Sequence, residues 1–283
     1  MGEWRFASVF SALVILAIIS ALLCRPALPA LLASRAVSAM ARTELAIDTY
    51  NWRTMDSSHF EIKYLPAQEG DARLTLEAGE AVFAATTRIM QIKPTGPIRL
   101  ILYPDQASLN RSFGWPQKEG VMGVYWGGAI RLLAPSVWMD KPDLEELIRD
   151  GPMAHELAHY LLDIRARGNY PRWLTEGVAQ YVERAVTGFS FGGIDKADGY
   201  SRSPFLFSTL DQEMDDPVTQ IEAYRQSLAA IDLLVNRFGW DQLLVVLDSL
   251  GQGMTLNQAL KSQLGISLAV WEQEFRQCYG LAA

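Results

Sequence analysis

The stretch MAHELAHYLL, residues 153–162, holds two of the three histidines of this chain. His155 and His159 lie four residues apart, and residues at that spacing point the same way on a helix. Two imidazole nitrogens can then bind one metal ion, each at about 2.0–2.1 Å. Glu156 lies beside them and can take a proton from a metal-bound water. These residue types at this spacing indicate metal-dependent hydrolysis.

A catalytic zinc ion needs a third protein ligand and an open fourth position. The segment PRWLTEGVAQYVE, residues 171–183, supplies the candidate, Glu176. A helix, a turn that contains glycine and an antiparallel helix would return Glu176 to the two histidines. Glu183 lies two turns further on, which favours a solvated or packed face. The alternative is a helix whose histidines face water or pair with carboxylates and bind no metal.

The elements that must position these residues change in type along the chain. HFEIKYL (59–65) and PIRLILY (97–103) have the patterns of strands, with a helix near 72–90 between them, and GVYWGGAIRLLAP (123–135) predicts strand, glycine bend and strand. After Pro142 the sequence predicts helices and one long loop: helices near 152–168, 174–185, 217–238, 240–250, 255–263 and 266–278, and a loop over 187–216. The predicted fold class is α+β. A small mixed β-sheet in the N-terminal half packs on a helical C-terminal half, with the HExxH helix at the cleft.

The beginning of the chain is a separate segment. Residues 6–24 are uncharged and mostly apolar, about the length of a helix that spans a bilayer. A cleavable signal peptide is the alternative, with residues 39–41 as its cleavage site. We expect a membrane anchor or signal segment over 1–24, a linker over 25–48 and the domain that carries the HExxH motif over 49–283. The domain is expected on the extracytoplasmic side, or secreted if the segment is cleaved.

Composition narrows the classes of partner. The net charge of −7 argues against nucleic acid. The two cysteines, Cys24 and Cys278, form neither a disulfide framework nor a cysteine-based metal site. A zinc ion would therefore be held by histidine and carboxylate.

The motifs HELAHYLLD and PRWLTEGVAQYVE together resemble the gluzincin metallopeptidases, the group that includes thermolysin and aminopeptidase N. They are most similar to the small bacterial proteins called peptidase MA-like, over residues 55–278. The resemblance implies a zincin-like fold and one zinc ion per chain. It also implies that His155, His159 and Glu176 bind the zinc and that Glu156 is the catalytic base.

Two further segments resemble the aminopeptidases. Tyr224, in EAYRQSLAAIDLLVNRFG, matches a tyrosine that stabilises the tetrahedral intermediate, although Gln226-Ser227 stands where the family has Lys-Gly. In YWGGAIRLLAP the resemblance implies an edge strand that pairs with the substrate backbone, and Gly127 and Gly128 would let a peptide approach closely. The aminopeptidases carry a glutamate there that binds the free amine of the substrate. This sequence has no acid there, which favours an endopeptidase; a plain hairpin bend is the alternative for these glycines.

Metal-binding histidines usually donate their second N–H to a carboxylate, a carbonyl or water. Gln180 and Asp163, one helical turn after Glu176 and His159, are candidates for that role. The remaining histidine, His59, is interpreted as a structural or surface residue.

The leading hypothesis is a membrane-anchored zinc-dependent peptidase that hydrolyses peptide or protein substrates. The alternative is a membrane-anchored, zinc-containing module that holds a peptide or envelope partner without turnover. A third hypothesis is a structural domain without metal. Both metal-binding hypotheses predict bound zinc, but only the peptidase loses an activity when Glu156 becomes Gln. The sequence does not predict an oligomeric state.

Overall fold

The computed structural model describes residues 28–115, 120–190, 192, 194 and 203–279. The predicted membrane segment 6–24 lies outside these residues. Among the helices of the described part, none is both long enough and apolar enough to cross a membrane.

In the described part of the chain, the strands all lie in the first half, with helices between them, and the second half is built of helices. The helices are α1 (Leu28–Asp48), α2 (Glu69–Met90), α3 (Gln106–Arg111), α4 (Pro135–Trp138), α5 (Leu144–Asp150), α6 (Met153–Ala166), α7 (Arg172–Thr187), α8 (Leu210–Glu213), α9 (Gln220–Phe238), α10 (Trp240–Gly251), α11 (Leu256–Leu264) and α12 (Leu268–Tyr279). The strands are β1 (Arg53–Asp56), β2 (Phe60–Tyr64), β3 (Ile98–Tyr103), β4 (Gly123–Trp126) and β5 (Ala129–Leu133).

The five strands form one mixed sheet in the order β1-β2-β3-β5-β4. β2, β3 and β5 run parallel, while β1 and β4 are antiparallel to their neighbours. A two-residue turn, Gly127-Gly128, joins β4 to β5, and both glycines have positive φ, as such tight hairpins require. β4 therefore lies at an edge of the sheet. The predicted α+β class with a small mixed sheet is confirmed.

The two faces of the sheet are covered by different helices. Phe60, Ile62 and Leu100 belong to the main core, which also contains the buried side of α6. On the other face, Leu45 of α1 packs with Ile101 and other residues of β3 and β5. Since α6 lies against the sheet and next to α7, both motif-bearing helices are fixed by the main core.

The linker interpretation of residues 25–48 missed helix α1. Alanine favours helix, and Pro29 lies in the first turn, where proline is tolerated. Among the residues of α1 whose side chains the structure describes, the buried stripe is Ala41 and Leu45, one turn apart, because α1 lies on the sheet surface. So narrow a stripe gives little helical periodicity, and the sequence therefore showed no clear pattern.

Gly177, directly after Glu176, lets α7 approach α9 closely. A Cβ at Gly177 would lie 2.3 Å from the carbonyl oxygen of Ser227 and 2.6 Å from Cγ1 of Ile231. Gly177→Ala is expected to lower the free energy of unfolding by about 1–3 kcal/mol, because the two helices must move apart. Urea denaturation of the metal-free protein measures the change.

Gly70→Ala is the matched control, because Gly70 is also helical but a Cβ there meets nothing within 4 Å. That change is expected to be neutral or to stabilise by up to about 1 kcal/mol. Equal stability of the Gly177→Ala variant and the wild type would contradict the close packing of α7 on α9.

Candidate metal centre

Helix α6 presents His155 and His159 one turn apart. The helix begins just after Pro152, whose carbonyl accepts the N–H of Glu156, and it ends where Arg167 adopts a left-handed conformation. The Nε2 atoms of the two histidines lie 3.0 Å apart. Both imidazoles are largely buried, with 15% and 11% of their side-chain surface exposed. The helix therefore aims both nitrogens at one point, as the four-residue spacing predicted.

Helix α7 returns antiparallel and brings Glu176 to the same point. Its Oε2 lies 3.3 Å from Nε2 of His155 and 3.5 Å from Nε2 of His159. The three donor atoms all lie within 4.8 Å of one another, close enough to hold one metal ion. In the described part of the chain, the group of histidine, cysteine and acidic side chains with donor atoms this close together is His155, His159 and Glu176.

The other ring nitrogen of each histidine has a hydrogen-bond partner. Nδ1 of His155 lies 3.0 Å from Oε2 of Glu183, and Nδ1 of His159 lies 2.7 Å from the hydroxyl of Thr175. A carboxylate only accepts, so the Nδ1 of His155 must carry the proton. In the neutral imidazole its Nε2 then presents a lone pair to the centre, which is the form that binds a metal.

Glu183 and Thr175 were missed as partners of the histidines. Glu183 is buried against His155, so of the two faces predicted for it, solvated or packed, it lies on a packed one. Its position seven residues after Glu176 puts both carboxylates on one face of α7, and that spacing could have identified it. Thr175 gave no comparable signal, because its contact depends on how α6 and α7 cross.

The charges of the centre perturb its titration. Burial by itself lowers the pKa of His155, but hydrogen bonds to Glu176 and Glu183 outweigh burial and hold that pKa well above its usual value. Burial raises the pKa of Glu176, yet the charges and hydrogen bonds of the two histidines bring it far below its usual range. For Glu156, burial dominates and raises the pKa. Three largely buried carboxylates around two imidazoles form an environment whose negative charge a divalent cation would partly neutralise.

Glu156 lies between α6 and the edge strand. Only 6% of the residue is exposed, and its Oε2 accepts the backbone N–H of Tyr125 at 2.5 Å. Gly123, on the same strand, leaves room for this arrangement, because a Cβ there would lie 3.0 Å from Cγ of Glu156. A carboxylate is therefore held beside the three donor atoms without being one of them.

The glycine bend of the hairpin contacts the chain itself. A Cβ on Gly127 would lie 2.6 Å from Cβ of Ala41, and one on Gly128 would lie 3.2 Å from a guanidinium nitrogen of Arg42. Helix α1 therefore occupies the space at these two glycines where the close approach of a substrate was predicted. The residues of β4 that face the candidate centre are Gly123 and Tyr125.

The two side chains predicted to orient the histidines contact other groups. The carboxylate of Asp163 accepts hydrogen bonds from the hydroxyls of Tyr125 at 2.6 Å and Tyr170 at 3.0 Å. The amide of Gln180 donates to the carbonyl of Glu176 at 3.2 Å and to that of Tyr224 at 3.0 Å. The hydrogen bonds of the two imidazoles go instead to Glu183, to Thr175 and to each other, so the prediction that Asp163 and Gln180 orient the histidines was wrong.

Tyr224 lies in the first turns of α9, near the centre. Its hydroxyl accepts a hydrogen bond from Arg172 at 3.2 Å, and Arg172 also lies 3.8 Å from Oε1 of Glu176. Burial raises the pKa of Tyr224 to about 12, so its hydroxyl keeps its proton at neutral pH. His59, in contrast, lies outside the centre: it bonds Glu80 and stacks on Phe83, which confirms its structural role.

The start of α7 is held by the short helix α8. The carboxylate of Asp211 accepts the backbone N–H groups of Arg172 at 2.9 Å and Trp173 at 2.7 Å, which are unpaired donors in the first turn of a helix. The indole of Trp173 is buried and stacks on Phe207 at 4.6 Å. Asp211 thus fixes the turn of α7 that precedes Glu176.

Comparison with known proteins agrees with this geometry. No curated protein matches the sequence significantly. The model of the Peptidase MA superfamily matches residues 81–279, more than half of the chain and the whole of α6 and α7. The resemblance inferred from the two motifs is confirmed, and the chain belongs to the Peptidase MA superfamily.

Proposed function

We propose that this protein is a zinc-dependent endopeptidase in which His155, His159 and Glu176 hold the metal and Glu156 is the general base. Membership of the superfamily supports a metallopeptidase at the coarser level. The observation that carries the finer proposal is the convergence of three donor atoms, two imidazole nitrogens and one carboxylate oxygen, within 4.8 Å beside the buried carboxylate of Glu156.

The donor set suits zinc. Two imidazoles and one carboxylate are the ligands of many catalytic zinc sites, which keep a fourth position open. Both histidines use Nδ1 for hydrogen bonds, so each has Nε2 directed to the centre. When bound, the ion would supply an activated water and would polarise the scissile carbonyl.

The side chains of this protein would move the protons. Glu156 would accept a proton from the attacking water and pass it to the leaving amine. Its raised pKa brings it closer to neutral pH, where a general base is most effective. Because Tyr125 donates to Oε2, we assign the proton to Oε1. Tyr224 would donate its hydroxyl hydrogen to the oxyanion.

The substrate would be an extended peptide along β4. The strand is at the edge of the sheet and lies beside Glu156, so a peptide that pairs with it is brought to the base. The hairpin carries no acid to bind a free amine, which supports internal cleavage.

The test of this proposal is metal content and proteolysis of the full chain. We expect about one zinc ion per chain by atomic emission, and cleavage of an unstructured protein such as casein at internal bonds. A chelator should abolish cleavage, and added zinc should restore it. Bound zinc without cleavage would favour a peptide-binding module, and absence of metal after zinc is supplied would refute the proposal.

Glu183 is expected to strengthen metal binding through His155. Glu183→Gln should weaken zinc affinity roughly 10–100-fold, the usual effect of losing a partner of a metal ligand. Competition with a chromophoric chelator measures the affinity. Glu145→Gln is the control, because Glu145 is exposed on α5 and is not part of the three-donor cluster. Equal affinities of the Glu183 and Glu145 variants would contradict this role.

Tyr224 is expected to act on the rate more than on binding. Tyr224→Phe should lower kcat on the order of 10²–10³-fold, as for loss of one oxyanion donor, with zinc content unchanged. Tyr181→Phe is the control, since Tyr181 lies on α7 but stacks on Trp240. If Tyr224→Phe keeps full kcat, the hydroxyl has only a structural role with Arg172.

We also propose that residues 6–24 anchor the chain in a membrane, with the domain on the extracytoplasmic side. The support is the uncharged, apolar composition of this segment. Fractionation of expressing cells tests the anchor, and protease added to intact spheroplasts tests the side. Recovery of the whole chain in the soluble cytoplasmic fraction would refute both parts.

A further inference from the structure

We propose that Asp163 and Tyr125 form a positioning pair that holds the edge strand β4 against α6, and thereby sets the direction of the Glu156 carboxylate. The inference rests on the proposed function for its effect on rate, but the contact itself can be tested without any activity.

Two residues of α6 hold the same residue of β4. Glu156 accepts the backbone N–H of Tyr125 at 2.5 Å, and Asp163 accepts its hydroxyl at 2.6 Å. Glu156 and Asp163 are seven residues apart, about two turns, and therefore lie on one face of α6. Tyr125 is thus attached to this face at both its backbone and the end of its side chain.

The attachment through the side chain is a strong one. Asp163 is a carboxylate, and hydrogen bonds to a charged acceptor are about twice as strong as neutral ones. Its second oxygen accepts the hydroxyl of Tyr170 at 3.0 Å, which limits rotation of the carboxylate. Burial, with the charge of Asp163, raises the pKa of Tyr125, so the phenol stays a donor. Tyr160 packs edge-on against the ring of Tyr125 at 5.8 Å.

The attachment through the backbone depends on the position of the strand. Tyr125 pairs with Ile130 of β5, yet its N–H donates to Glu156 and so points to the open edge of the sheet. An edge strand can shift by an ångström more easily than a central one, because one side has no neighbouring strand. Such a shift would move the partner of Glu156, and errors of about 1 Å in catalytic groups can cost 10²-fold in rate.

Hydrogen exchange of the residue 125 amide in the full chain tests the pair. In the wild type this amide should exchange slowly, because Glu156 accepts it, and Glu156→Ala should give the unprotected rate. Tyr125→Phe, which removes only the hydroxyl, should speed exchange at least about tenfold. Asp163→Asn should have a similar effect, and the double variant should exchange no faster than the faster single variant.

Tyr160→Phe is the matched control. It removes a hydroxyl from the neighbouring ring, and no hydrogen bond of that hydroxyl is found among the described residues. Its amide exchange at residue 125 should equal the wild-type rate. Fast exchange of residue 125 in the wild type, or unchanged exchange in Tyr125→Phe, would overturn the inference.

Peptide cleavage gives the second measurement, at a temperature where every variant is folded. We expect kcat of Tyr125→Phe to fall about 10- to 100-fold with unchanged zinc content. Loss of protection with an unchanged kcat would overturn the link to Glu156. If the wild type binds zinc and cleaves no peptide, the proposed function fails, while the exchange rates still decide whether the pair holds the strand.

Discussion

Glu156→Gln is expected to lower kcat by a factor on the order of 10²–10⁴, the usual contribution of a general base. Glutamine has nearly the same shape, and its Oε1 can still accept the N–H of Tyr125 that Oε2 of Glu156 accepts. It cannot take up a proton from water. The strand, the three donor atoms and the fold should therefore be unchanged, and only proton transfer is lost. Initial rates of casein cleavage measure the effect.

Zinc content separates this result from loss of the metal. Glu156 is not among the three donor atoms that converge, so the variant should still hold about one ion per chain. Equal thermal stability of the variant and the wild type in the presence of zinc would show that the fold is intact. Wild-type turnover in Glu156→Gln would remove the central step of the proposed mechanism.

Glu176→Ala is expected to abolish metal binding at ordinary zinc concentrations, and activity with it. The change removes one of the three proposed ligands, so the loss of affinity should exceed the roughly 10–100-fold cost of an outer partner such as Glu183. It also leaves a small cavity beside the imidazoles. Zinc content after dialysis is compared between Glu176→Ala and Glu183→Gln, and it shows which of the two changes lowers zinc affinity more.

We expect Glu176→Ala to hold less zinc than Glu183→Gln. Glu183→Gln should retain zinc when the ion is in excess, whereas Glu176→Ala should stay largely empty. If Glu176→Ala binds zinc as tightly as the wild type, a different residue completes the centre. In that case Glu183, which lies 3.0 Å from His155 on the same helix face, is the next residue to change.

Local periodicity was enough to predict most of the fold. Phe60, Ile62 and Tyr64 alternate with half-exposed residues in β2, as the sequence pattern predicted. β1 was missed because its four residues include no buried side chain, so it is recognised only through backbone pairing with β2. α1 was missed for a related reason, since of its described side chains Ala41 and Leu45 are the buried ones. Elements that are stabilised by backbone pairing or by a small contact area leave little pattern in a sequence.

The convergence of His155, His159 and Glu176 could be predicted from the four-residue spacing of the histidines, the distance along the chain to Glu176 and the glycine-containing turn between the two helices. The surroundings of these residues could not be predicted equally well. Tyr125 contacts Glu156 through its backbone N–H, and such a contact cannot be predicted from the type of the residue. Thr175 reaches His159 because of the way two helices cross. Sequence spacing thus indicated which side chains share a face, while their partners depend on distances between elements.

The capping of α7 by Asp211 connects the proposed metal centre to α8. Glu176 lies one turn after the amides that Asp211 accepts, and metal binding would restrict that same turn. Under the proposed function, a change that detaches Asp211 and thereby weakens zinc binding would be matched, by thermodynamic linkage, by an equal effect of zinc removal on the attachment of Asp211. Helix α8 would then influence the proposed metal centre although no atom of α8 belongs to the three-donor cluster.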